Sequence, residues 1–187
     1  MGIYVDQVGY LPKAKKVAVS TFPCNFQLIN AQTQSSVLDG TTKAMGIDDC
    51  SGEQVYQIDF SAAVSPGTYY ILAGNGEKSL TFRIEENVYD ALKSAVMKAF
   101  YYQRCGCELS AKYAGVYTHK ACHTAPSVFL EDYINKTPSP RQFDMTGGWH
   151  DAGDYGRYTS PAAVALAHLL YAYELFPGQL QMDLNIP

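Results

Sequence analysis

Gly147-Gly148-Trp149-His150-Asp151-Ala152-Gly153-Asp154-Tyr155-Gly156-Arg157-Tyr158 runs straight into Thr159-Ser160-Pro161 and the apolar stretch Ala162–Leu170. Two carboxylates three positions apart share this segment with four glycines and three large aromatic rings. Glycine admits backbone angles and close approaches that other residues resist. The segment can therefore fold tightly and aim Asp151 and Asp154 at one point, where a single water would sit between them.

Downstream, the spacing predicts a helix from Ser160 to Phe176, with Ser160 as its cap and Pro161 in the first helical position. Pro177-Gly178 stops it. Ala162–Leu170 is apolar nearly all round, interrupted by His168, so this helix wants partners on most of its faces. Upstream, residues 106–146 form a long connection containing Pro126, Pro138 and Pro140, with room for a short helix or two. A connection of that length is usually functional or pinned internally. Before it, Asn87 is a candidate cap and Val88, Leu92, Ala95, Val96 and Ala99 recur at helical spacing to about Gln103, where Gly106 closes the element.

From residue 3 to about 85 the chain reads as short strands punctuated by turn residues. Ile3–Val5, Lys16–Ser20, Phe26–Asn30, Val55–Phe60, Thr68–Leu72 and Ser79–Ile84 are the candidates, with Ser65-Pro66-Gly67 and Gly74-Asn75-Gly76 as turns. Strands of this length and spacing predict a β-sandwich of roughly 85 residues. Two domains follow, 1–86 and 87–187.

Composition sets outer bounds. Of 187 residues, 47% are hydrophobic and 17% charged, enough for packed cores and unlike a disordered chain. A formal net charge of −4 gives no electrostatic reason to expect nucleic acid or an anionic membrane as partner. No stretch approaches the roughly 18 apolar residues of a membrane span, and the N-terminus lacks the basic-then-apolar pattern of a secretory leader. Fifteen tyrosines against one tryptophan serve first as core and strand filling.

The five cysteines are too few and too irregularly spaced for a disulfide scaffold. Cys24 and Cys50 fall in the strand-rich part. Cys105, Cys122, His123 and His150 combine two thiolates with two imidazoles, the donor set of a closed tetrahedral zinc site. Sixteen residues separate the first two and 26 the last two, which matches no zinc-finger spacing, and Cys107 competes with Cys105. His168 on its apolar helix reads as a core histidine and His119 as an exposed one.

An activated water in front of aromatic rings points to hydrolysis of a flat, hydroxylated substrate such as a sugar. An isolated DAGD would read as turn and cap residues. With GGWH before it and YGRY after it, followed by TSPAAVALAHLLYAYELFP, the segment resembles the start of the catalytic module of family 9 glycoside hydrolases, mostly cellulases. FYYQRCG (100–106) and ACH (121–123) extend the likeness. IYVDQVGYLP (3–12) is similar to the immunoglobulin-like module that precedes the catalytic domain in one branch of the family.

The resemblance implies an immunoglobulin-like β-sandwich over 1–86 and the N-terminal part of an (α/α)6 barrel over 87–187, the barrel being incomplete within this chain. It implies inverting hydrolysis of β-1,4-glucosidic bonds in cellulose or related β-glucans, with Asp154 as general base and Asp151 helping to hold the water. Cys105, Cys122, His123 and His150 match positions that bind structural zinc in that branch, and calcium belongs to the remainder of the catalytic domain. It implies a secreted enzyme acting on β-glucan polysaccharide or oligosaccharide.

The general acid, a glutamate far along the family's catalytic domain, matches nothing here. Glu174 lies twenty residues past Asp154, mostly along a helix, hence some 20 Å away or more. Glu108, Glu131 and Asp132 lie in the connection. The expectation is that the chain alone is inactive and that its unpaired barrel helices favour self-association. Two rivals stand beside this reading: a non-catalytic carbohydrate-binding or structural module, and a metal-dependent hydrolase in which His150, Asp151 and Asp154 hold a catalytic ion.

Overall fold

A computed structural model describes residues 2–181 and 183–187. The chain divides into two compact units, one ending at Leu92 and the other beginning at Lys93.

Among the described residues the first unit has eight strands: β1 Ile3–Tyr4, β2 Val17–Ser20, β3 Asn25–Asn30, β4 Ser36–Thr41, β5 Lys43–Ile47, β6 Gln54–Asp59, β7 Gly67–Ala73 and β8 Phe82–Ile84. They form two antiparallel sheets, ordered β1-β2-β6-β5 and β4-β3-β7-β8. Alternation decides which residues turn inward. Tyr69, Ile71 and Ala73 of β7, Phe26 and Leu28 of β3 and Ile58 of β6 are buried in one core together with Phe60, Phe82 and Ile84. Leu28, Ile58, Phe60, Ile71 and Ile84 are fully shielded, each contributing about 1.5–3 kcal/mol of apolar transfer energy. Tyr10 meets Phe60 and Phe82 edge-on, with centroids 5.0 and 5.2 Å apart, the arrangement aromatic quadrupoles favour.

Strands β4 and β5 were not expected from the sequence. Their residues, SVLDGT and KAMGI, include glycine, aspartate and lysine, and nearly all of them face solvent, so no alternation marks them. Gly40 stands opposite Phe26, whose ring lies where a Cβ would be. The other strand boundaries move by one to three residues.

One buried cation stabilises the loop before β2. The Lys16 ammonium is fully buried and donates to the carbonyls of Pro12 (2.6 Å), Ala14 (2.9 Å) and Leu11 (3.4 Å). The N-terminal segment also holds the chain that leaves the sandwich. Gly9, at φ +119°, passes so close to Arg83 and Val88 that a Cβ would lie 2.5 Å from each. Tyr10 exchanges backbone hydrogen bonds with Arg83 and Glu85, and the Tyr89 hydroxyl donates to Asp6 and to the Gly9 carbonyl.

Helix α1 spans Asp90–Tyr102. Asn87 is not its cap: residues 86–89 form a turn in which the Asn87 carbonyl receives the Asp90 N–H, delaying the helix by two residues, from Val88 to Asp90. In the second unit follow α2 Ala111–Ala114, a 3₁₀ turn Gly115–Tyr117, β9 Ser127–Val128, α3 Leu130–Ile134, β10 Gln142–Phe143 and α4 Thr159–Leu175. β9 and β10 pair antiparallel around α3. Helix α4 starts with Tyr158 in an extended conformation and no side-chain cap, so Ser160 does not cap it and Pro161 falls in the third helical position. That is still within the first turn, where N–H groups lack helical acceptors.

No residue of α4 is buried, and Val164, Leu166, Leu170, Tyr171, Tyr173 and Leu175 stand exposed. His168 is exposed as well, its Nδ1 lying 2.9 Å from the Val164 carbonyl of its own helix. His119 is half-buried. Among the described residues no helix is long and apolar enough to cross a membrane.

Candidate functional site

The site starts from a short antiparallel pairing. Cys105 donates its N–H to Gly148 (2.9 Å), His150 donates to Gln103 (2.8 Å), and Arg104 stands opposite Trp149. Side chains alternate along paired strands, so Cys105 and His150 share one face while Trp149 takes the other, edge-on to Phe100 at 5.9 Å. Gly106 makes the pairing feasible. It sits at φ +78°, and a Cβ there would press within 2.6 Å of the Gly147 nitrogen.

On the shared face, donor atoms of Cys105, Cys122, His123 and His150 all lie within 4.8 Å of one another. The two sulfurs are 3.9 Å apart, and Cys122 Sγ is 3.4 Å from His150 Nε2. Sulfur and nitrogen donors on one tetrahedral zinc would be separated by about 3.8 Å (S–S) and about 3.6 Å (S–N), from bond lengths of roughly 2.3 and 2.05 Å. The residues present therefore fit a metal ion. Cys105 and His150 are buried, Cys122 is half-buried and His123 is exposed. Burial, then the neighbouring Cys122 sulfur, push the Cys105 thiol up. A bound cation reverses that tendency, since it favours thiolates. His123 holds φ +50°, a left-handed conformation that needs support from its surroundings. Cys107 lies apart from the cluster, packed against Tyr101, Leu109 and Ala114.

His150 links this cluster to the acidic loop. Its Nδ1 lies 3.1 Å from the Tyr155 carbonyl, with the Tyr155 ring edge-on at 5.2 Å. That contact fixes the imidazole so that Nε2 faces Cys122. Tyr155 sits at φ +57°, turning its carbonyl back toward the histidine. The loop between them is closed by Asp151 N–H to the Gly156 carbonyl (2.8 Å) and Tyr155 N–H to Ala152 (3.0 Å). Arg157 fastens the segment before it, donating to the carbonyls of Met145 and Gly147.

Both aspartates are exposed. Asp154 accepts the Gly156 N–H on Oδ1 (2.9 Å) and the Tyr158 hydroxyl on Oδ2 (3.2 Å). These two donors, the backbone one first, hold its carboxyl below the usual carboxylate range, so it is ionised at neutral pH. Asp151 lines a cleft of about 110 Å³ with Phe100, Gln103, Trp149 and Tyr158. His150 turns Nε2 to Cys122 and Nδ1 to the Tyr155 carbonyl, and among the described residues the group able to hold an ion includes His150 but neither Asp151 nor Asp154.

Asp132 is no candidate acid. The Arg141 guanidinium grips both of its oxygens at 2.9 and 3.1 Å, and its carboxyl lies below the ordinary range because of that partner. Arg141 also lies over the Phe129 ring and reaches Glu131, so this charge network ties β9, α3 and β10 together. Sequence reading missed the roles of Tyr158, Arg157 and the Tyr155 carbonyl. The one signal for Tyr158 was a hydroxyl four residues after Asp154.

The family models match this chain in two pieces. The cellulase N-terminal ig-like domain covers residues 1–78 and glycosyl hydrolase family 9 covers residues 89–185. A cellodextrinase of Butyrivibrio fibrisolvens is 44% identical over 187 residues, covering 99% of this chain and 32% of that protein. AaCel9A, solved in complex with cellobiose-like isofagomine, superposes with a TM-score of 0.82 at 36% identity, over 96% of this chain and 31% of its own. A Zn-binding triple mutant of the family 9 endoglucanase J30 superposes at 0.81 with 32% identity, over 95% and 33%. The chain thus spans about a third or less of the length of the curated relatives it matches. It pairs an immunoglobulin-like β-sandwich with helices corresponding to the beginning of an (α/α)6 barrel. A family model spanning more than half of its residues makes it a member of glycosyl hydrolase family 9.

Proposed function

We propose that a protein of the relatives' full length, of which this chain forms the first third, hydrolyses β-1,4-glucosidic bonds in cellulose or related β-glucans with inversion at the anomeric carbon. The observation that carries this reading is the Asp154 carboxylate: exposed, accepting two hydrogen bonds, and closed into a loop tied to His150. An ionised carboxylate so placed takes a proton from water as that water attacks one face of the sugar. Asp151, in the same closed loop and on the cleft beside Trp149, supports the second hydrogen of that water.

Inversion needs an acid roughly 6.5–9.5 Å from the base to protonate the leaving oxygen. That acid comes from the part of the barrel beyond this chain. Domains at 1–86 and 87–187, extracellular action and calcium bound elsewhere in the barrel belong to the same reading.

Zinc is the ion we assign to Cys105, Cys122, His123 and His150. When bound it supplies no reaction chemistry, since all four positions are taken by protein donors; it cross-links the segments that carry them. His150 is covalently next to Asp151, so fixing the histidine fixes the loop that holds both carboxylates. Positioned catalysis depends on support of that kind.

Proton NMR of the first product from cellotetraose, taken with the longer protein, tests the mechanism. The α-anomer should appear ahead of mutarotation. A β-anomer appearing first would contradict inversion.

A further inference from the structure

We infer that Cys105 and Cys122 form a redox-modification site: a dithiol that either holds the metal ion or closes into a disulfide, and cannot do both. The inference rests on the zinc reading above and extends it to what the two cysteines do when an oxidant arrives.

The sulfurs are 3.9 Å apart. A disulfide bond is about 2.05 Å long, so they must approach by about 1.9 Å. The two cysteines differ in freedom to make that movement. Cys105 is buried and its backbone is hydrogen-bonded to Gly148. Cys122 is half-buried in residues 121–126, a segment without helix or strand. The accessible and movable partner is therefore Cys122. Cys107, two residues from Cys105, is held in a separate apolar cluster. Cys24 and Cys50 belong to the other unit.

With a low-molecular-weight disulfide such as oxidised glutathione, the Cys122 thiolate attacks one sulfur of the reagent. One glutathione thiolate leaves, and Cys122 carries a mixed disulfide. The Cys105 thiolate then attacks Cys122 Sγ and expels the second glutathione thiolate. One protein S–S bond forms and one reagent S–S bond breaks. Two electrons pass from the cysteine sulfurs to the reagent, and the released thiolates take protons from water as their pKa dictates.

Disulfide sulfurs are no longer anionic donors, and two imidazoles alone do not make a closed site. The ion leaves, and His150 loses the tether that ties the Asp151–Asp154 loop to Cys105 and Cys122.

The test uses the whole 187-residue chain, reduced and loaded with zinc, then treated with oxidised glutathione. Metal release is read with a chromogenic chelator, and cross-links by intact mass and non-reducing peptide mapping. The result expected is loss of about one zinc per chain, matched one-to-one by a Cys105–Cys122 cross-link and restored by dithiothreitol plus zinc. Cys107→Ser should behave the same. Retention of zinc after oxidation, a cross-link through Cys107, or loss of the response in Cys107→Ser would overturn the switch while leaving the zinc reading intact. A reduced chain that takes up no stoichiometric zinc would remove both.

Discussion

Asp154 receives two hydrogen bonds, and they differ in how they can be tested. The Gly156 donor is a backbone N–H, which only proline would remove, and proline would also constrain the loop. The Tyr158 hydroxyl can be removed by itself, and it is the second cause of the lowered Asp154 carboxyl. Tyr158→Phe raises the Asp154 pKa, since it deletes a donor that favours the charged form. The proposed base Asp154 must be ionised to act, so the acidic limb of kcat/KM in the longer protein should move to higher pH, with the alkaline limb unmoved. An unshifted acidic limb would separate Tyr158 from the base.

At this scale the residue types were legible and the contacts were not. Two cysteines and two histidines stand out by chemistry in any sequence. The features around His150 are a tyrosine carbonyl at positive φ that meets its ring, and an arginine that fastens the segment before it through two carbonyls. Backbone conformation and backbone acceptors leave no mark in the identity of the residue concerned.

Among elements, β-strands with an apolar inward face were readable from alternation, and those without one were not. β4 and β5 form because they pair with β3 and β6, and their own side chains carry little of the signal. The helix starts shifted for a related reason: Asn87 and Ser160 have cap chemistry, but the turn at 86–89 and the extended Tyr158 set where the backbone begins to coil. The sandwich core lies within a single unit, so a fragment of residues 1–86 should fold by itself. Its circular dichroism should be β-dominated with a cooperative thermal transition, and a coil spectrum would refute the proposed boundary.

Helix α4 makes the opposite case. Its exposed leucines and tyrosines give the isolated chain an uncovered apolar surface, which favours association. Leu166→Lys with Leu170→Lys should shift sedimentation toward the monomer. Concentration-independent monomer in the unsubstituted chain would contradict that expectation.

For the whole molecule, the fold was legible because each half carries its own pattern, a sandwich of short strands and then an apolar helix with an acidic loop. The general acid was not legible: the proposed reading assigns it to the part of the barrel beyond this chain. Asp132 is committed to Arg141, and Glu131 shares that network. The cleft beside Asp151 is small, about 110 Å³, and the proposed reading draws its other walls from the rest of the barrel. The chain alone should therefore hydrolyse cello-oligosaccharides little or not at all.

The most direct measurement is the initial rate on cellotetraose for a protein extending to the relatives' full length, compared with its Asp154→Ala variant. Loss of a positioned base should lower the rate by about 10²–10⁴-fold, with the content of the proposed zinc unchanged because Asp154 is not among the four residues grouped to hold an ion. An Asp154→Ala protein that retains the parental rate would contradict the account.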